Sequence, residues 1–139
     1  MAEQGDGYAV ATLDEIGDGY GFRKIRRELG VTAFGINAIV LPAGYETGVH
    51  YHEQQEETYF VHEGQVEFRF GDGAKRILGP GGVVRVSADT HRGMRNVGQT
   101  DATVVVAGGK DGYVGRDGKP VGDNPRGGPP GAGGPVEQA

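Results

Sequence analysis

Cysteine is absent from the 139 residues, which excludes a disulfide framework, a thiolate metal site and a thiolate nucleophile. Any bound metal must then be held by imidazole and carboxylate. Long apolar runs are missing too. No stretch approaches the roughly 20 residues that a membrane-crossing helix needs, and residues 1–7 lack a basic segment followed by an apolar run. The expected location is the cytoplasm, with no membrane partner. Positive charge is in short supply: the formal net charge is −5, which works against a surface for nucleic-acid phosphates and leaves no nucleic-acid partner expected. The local basic run of Arg23, Lys24, Arg26 and Arg27 reads as the outward side chains of a strand, with Phe22 and Ile25 packing elsewhere.

Glycine, by contrast, is abundant at 28 residues, with 7 prolines, and the apolar residues fall in short runs such as 36–41 and 83–86. That pattern predicts an all-β chain, and the length suits one domain with one core. Strands are expected at 9–13, 22–28, 32–41, 49–52, 57–61, 65–70, 75–78, 83–87, 92–97 and 102–107, with at most a turn of helix at 14–16. Val66, Phe68 and Phe70 alternate with Gln65, Glu67 and Arg69, so one face meets a core and the other meets water. His62-Glu63-Gly64 and Gly71-Asp72-Gly73 supply hairpin turns. The Gly17-x-Gly19-x-Gly21 spacing lacks the preceding buried strand and following amphipathic helix of a phosphate loop. The organisation expected is an N-terminal arm over 1–21, a barrel over 22–108 and a Gly/Pro-rich, disordered tail over 109–139. Tyr113 and Val114 are the tail residues expected to fold back on the barrel or a partner.

The segment that carries chemistry is Gly44-Tyr45-Glu46-Thr47-Gly48-Val49-His50-Tyr51-His52, then Glu53-Gln54-Gln55-Glu56-Glu57, and six residues later Gly64. Histidines one residue apart on a strand point to the same face and aim two imidazoles at one ion, and a carboxylate from the next strand can reach the same point. Such a set suits Fe, Mn, Ni, Co or Zn. His62, at a strand end, reads as a solvent-facing turn histidine. Tyr45, Tyr59, Phe68, Met94 and Arg95 stand at positions where core and pocket roles are both open.

These residues resemble the first motif of the cupins: Gly, five residues, His, one residue, His, three or four residues, Glu, six residues, Gly. Counting back from Gly64 selects Glu57, while Glu56 fits the shorter spacing. Strand parity favours Glu57, which shares a face with Tyr59 and Val61. The second motif supplies a third histidine, and here the chain departs from it: measured from Gly81, Asn96 falls in place, but Arg92 holds the histidine position and His91 lies one residue early. Strict register turns Arg92 inward; a bulge at Gly93 would let His91 point in instead.

The resemblance implies a cupin-type jelly-roll β-barrel, often dimeric, with His50, His52, Glu57 and His91 as ligands of a divalent metal ion. A set without His91 is the facial two-histidine, one-carboxylate arrangement, with Arg92 available to an anionic substrate. The expected function is a metal-dependent enzyme, dioxygenase-like, acting on a small molecule in the barrel, with Glu57 both ligand and possible base. The other reading is a non-catalytic module that binds or senses a small ligand around a structural metal.

Overall fold

Alternation of buried and exposed positions organises the whole structure, a computed structural model that describes residues 2–122. In chain order the strands are β1 (Glu3–Gln4), β2 (Ala9–Val10), β3 (Gly21–Arg23), β4 (Gly35–Leu41), β5 (His50–His52), β6 (Glu56–Glu63), β7 (Val66–Phe70), β8 (Lys75–Leu78), β9 (Val83–Val86), β10 (Arg92–Asn96), β11 (Ala102–Gly109) and β12 (Gly118–Pro120). On β6, Glu57, Tyr59 and Val61 are buried while their neighbours are exposed, the period-2 signature of a strand with one face on a core.

Two five-stranded antiparallel sheets face each other, one ordered β12-β5-β10-β7-β8 and the other β3-β4-β11-β6-β9. Spatial neighbours such as β5 and β10, or β4 and β11, are far apart in sequence, which is the jelly-roll arrangement. Val66, Phe68 and Met94 of the first sheet meet Ile39, Leu41, Tyr59, Val61, Val104 and Val106 of the second to form the core. Gly64 turns β6 into β7 at φ 86°, and a Cβ there would stand 2.8 Å from the Ala102 backbone, so both the conformation and the space call for glycine.

Three expectations are corrected. Residues 22–28 do not continue as a strand. After β3 the chain forms the short helix α1 (Ile25–Leu29), ended by Gly30 in the left-handed conformation. Ile25 and Leu29 are four apart and share a half-buried face, a helical spacing that a short window confuses with alternation. The basic run is accordingly not an outward strand face: Arg23 is buried and donates to Gly19 O at 2.8 Å, and the Arg26 guanidinium lies 4.0 Å from the centre of the Tyr113 ring.

The third correction concerns only where the tail begins, since Tyr113 does fold back as expected. Residues 109–122 return to the barrel, with Tyr113 under Arg26 and β12 paired to β5; residues 123–139 lie outside the described residues. At the other end, β1 and β2 make a separate two-stranded sheet, and a 3-10 turn occupies Leu13–Glu15. Among the described residues no helix is long and apolar enough to cross a membrane.

Candidate metal centre

Strands from opposite sheets supply the cluster. On β5 the alternation turns His50 and His52 into the barrel, both fully buried, and leaves Tyr51 half-exposed on the other face. On β6 the same alternation chooses between adjacent acids: Glu57 is buried and faces the histidines, whereas Glu56 is exposed and pairs with Arg85. Glu57 Oε1 lies 3.1 Å from His52 Nε2 and 3.9 Å from His50 Nε2. One ligand atom from each of the three residues lies within 4.8 Å of the others.

The fourth ligand expected from sequence is not in this group. Pairing between β10 and β7 runs without interruption from Arg92 to Asn96, so no bulge at Gly93 shifts the register. His91 therefore stays outside, its ring stacked on Tyr51 with centroids 5.2 Å apart, on the wall of a cleft lined also by Phe70, Asp72, Ser87 and Asp89. Arg92 points in. It is 1% exposed, and its Nη2 donates to Glu57 Oε1 at 2.9 Å. Its Nη1 donates to the carbonyls of Ala88 at 2.9 Å and Thr90 at 2.6 Å, pinning the 87–91 loop.

Glu57 is held from several directions, since the Tyr59 hydroxyl also donates to Oε1 at 2.9 Å. Burial alone would push the Glu57 carboxyl up. Hydrogen bonds from His50 and His52, together with the His52 and Arg92 charges, outweigh it and keep the group well below the usual carboxylate range. Burial lowers His50. The same burial acts on His52, but hydrogen bonding and charge from Glu57, and then Asp117, reverse the direction and raise it.

Asp117 was not legible as a site residue, nor was Gln55. The Asp117 Oδ1 sits 2.8 Å from His52 Nδ1 and accepts from Gln55 Nε2 at 2.6 Å; Oδ2 accepts from the backbone N–H groups of Gln54 at 2.7 Å and Gln55 at 2.9 Å. No local signal marks this aspartate, because it lies between glycines and prolines far from the motif.

These contacts test the fit of a metal ion. An ionised Asp117 only accepts, so His52 Nδ1 carries a proton and donates it. In the neutral ring Nε2 then presents a lone pair to Glu57 Oε1 at 3.1 Å. Two acceptors that close repel unless the ring is protonated or a cation lies between them. Two imidazoles and one carboxylate are a donor set for iron, manganese, nickel, cobalt or zinc, so the residues present fit such an ion.

A family model described as a cupin domain matches residues 38–108. Among solved structures, a cupin protein from Bacteroides fragilis aligns at 24% identity and a TM-score of 0.64, covering 76% of this chain and 86% of that one. An RmlC-like cupin protein from Desulfovibrio desulfuricans aligns at 30% identity and a TM-score of 0.52, over 59% and 74%. The cupin domain of Schizosaccharomyces pombe Cnp3 aligns at 18% identity and a TM-score of 0.54, and the chain spans 57% of that domain's length while 57% of the chain is covered. No curated protein sequence matches.

Proposed function

The chain belongs to the cupin domain family, and from that premise we propose that it is a metal-dependent enzyme that oxygenates a small organic molecule, with a divalent ion held by His50, His52 and Glu57. The observation that carries this reading is the composition of the cluster: two imidazoles and one carboxylate converge, and Arg92, which ligates no cation, stands where the family's further histidine falls. That is the facial arrangement of non-haem iron oxygenases, and it leaves coordination positions for other molecules. A redox-active ion bound there supplies Lewis acidity and electrons toward O₂.

The surrounding residues have separate tasks. Arg92 and Tyr59 both donate to Glu57 Oε1, which fixes the carboxylate and suits it to ligation. Proton abstraction by Glu57 requires that these donors first release it. Arg92 also ties the 87–91 loop over the cluster through the Ala88 and Thr90 carbonyls, and the cleft along that loop is the approach we assign to the substrate. Phe68 and Met94 are buried core residues, with Met94 on the same face of β10 as Arg92; they supply an apolar wall. We further take the protein to be cytoplasmic and homodimeric, without nucleic-acid or membrane partners. Phe60 and Val83, cross-strand neighbours that are 41% and 64% exposed, support a dimer through the outer face of the second sheet.

The complete burial of His50, His52 and Glu57 favours one other reading, a ligand-binding or sensing module with a structural ion. One experiment separates the two. Protein loaded with Fe(II), Mn(II) or Zn(II) is screened for oxygen uptake against small carboxylic acids, polyols and phenols. Uptake that depends on Fe or Mn and vanishes in His50→Ala supports the enzyme. Tight zinc with no uptake under any loading supports the binding module.

A further inference from the structure

Residues 109–122 do more than close an edge of the barrel. β12 lies directly against β5, the strand with both histidines, pairing Gly118 with His52 and Pro120 with His50. Two backbone bonds clamp it at either side: Val121 N–H donates to Val49 O at 2.9 Å, and Glu53 N–H to Asp117 O at 3.2 Å. Lys119 reaches Glu53 at 3.2 Å. The segment brings one acidic side chain inward, Asp117, which is only 7% exposed.

We propose that Asp117 is a positioning residue for the metal ligand His52, and that the strap carrying it is a latch whose docking is coupled to occupancy of the metal site. The inference rests on the metal reading above and assigns this chain's C-terminal segment a role in it. All its polar contacts converge on one outcome. Gln55 Nε2 and the Gln54 and Gln55 N–H groups take up three acceptor positions of the carboxylate, so the group is fixed before it meets His52. It accepts from Nδ1 at 2.8 Å and so keeps the ring in the tautomer whose Nε2 lone pair faces Glu57 and His50. A carboxylate behind a ligating histidine orients the ring and raises its basicity, and losing such a partner typically weakens metal binding by about 10–100-fold. Linkage makes the effect reciprocal: whatever Asp117 contributes to the ion's affinity, the ion returns to the docked strap.

Asp117→Asn is nearly isosteric but can turn an amide N–H toward His52 Nδ1, which then has to accept, moving the ring proton to Nε2. Zinc affinity is measured on the full chain by competition with a chromophoric chelator, for wild type, Asp117→Asn and Asp117→Ala. Hydrogen exchange of the Val121 and Glu53 amides is followed with and without zinc. The ¹⁵N shifts of His52 report its tautomer in the metal-free protein at a pH high enough that the ring is neutral, a readout that a merely structural strap would not move. We expect a loss of about 10–100-fold in affinity in both variants, slower exchange of the two amides in zinc-loaded wild type only, and a proton moved from Nδ1 to Nε2 in Asp117→Asn. Wild-type protein that binds zinc no more tightly than these variants, or amides whose exchange ignores zinc, overturns the latch. Wild type that takes no zinc at all overturns the metal reading beneath it.

Discussion

Replacing Arg92 by methionine removes the guanidinium that donates to Glu57 while keeping a long apolar side chain in its place. Glu57 is then a fully buried carboxylate without its 2.9 Å cationic partner. Breaking a buried pair from one side costs about 3–5 kcal/mol; Tyr59, His50 and His52 still hold Glu57, so the loss belongs at the lower end of that range. The Ala88 and Thr90 carbonyls lose their donors as well, but they belong to a loop where water can replace it. For a chain of this size the loss corresponds to roughly 10–20 °C in Tm. Urea unfolding at neutral pH, followed by far-UV circular dichroism with EDTA present, measures the metal-free cost. Repeating it in saturating zinc measures how far an ion substitutes for the lost charge, and the destabilisation should fall by at least about half. Arg92→His is the companion variant: it offers a fourth nitrogen at the family's usual position, so its zinc affinity should rise above wild type. A metal-free loss under about 1 kcal/mol, or an equal loss with and without zinc, would refute the claim that Arg92 acts as Glu57's counter-charge.

Three further outcomes follow from the same geometry. His50→Ala should abolish stoichiometric metal by elemental analysis, whereas His91→Ala, whose ring stacks on Tyr51 outside the barrel, should leave it unchanged; equal losses would put His91 back among the ligands. Gly108→Ala should destabilise by about 1–3 kcal/mol and weaken zinc binding, because the new Cβ would collide with Gln55 Oε1, on the amide that holds Asp117, and stand 3.1 Å from Glu57 Cγ and the Glu56 carbonyl; thermal melts and zinc titration on the same sample check both. Zinc affinity should climb with pH through neutrality. The His52 proton is favoured by the metal-free fold above its ordinary 6.5, so it contributes stability below 6.5 that is lost as pH rises past the raised value, and an incoming ion must displace it. Affinity that stays flat from about pH 6 to 8 would show that no histidine proton is released.

Sequence alone determined the class of fold and the identity of three converging side chains, and the reason is local. Strand alternation is a period of two, so spacing by itself turns His50 and His52 to one side and, across the next strand, prefers Glu57 to Glu56. The same rule already placed Arg92 inside and His91 outside; only a supposed bulge at Gly93 kept His91 in the ligand set, and bulges are set by the neighbouring strand, here the unbroken pairing of β10 with β7. The helix at Ile25–Leu29 escaped because five residues carry too little periodicity to tell four-apart packing from alternation.

What tertiary structure alone decided was the surroundings of the ligands. Arg92 reaches Glu57 from the facing sheet, and Asp117 reaches His52 across 65 positions of chain. A Gly- and Pro-rich segment looks unable to order itself because it buries little of its own surface. Residues 109–122 are ordered instead by what they join: the free edge of β5, and an aspartate pocket built from Gln54, Gln55 and His52. No window of sequence contains both partners of that contact.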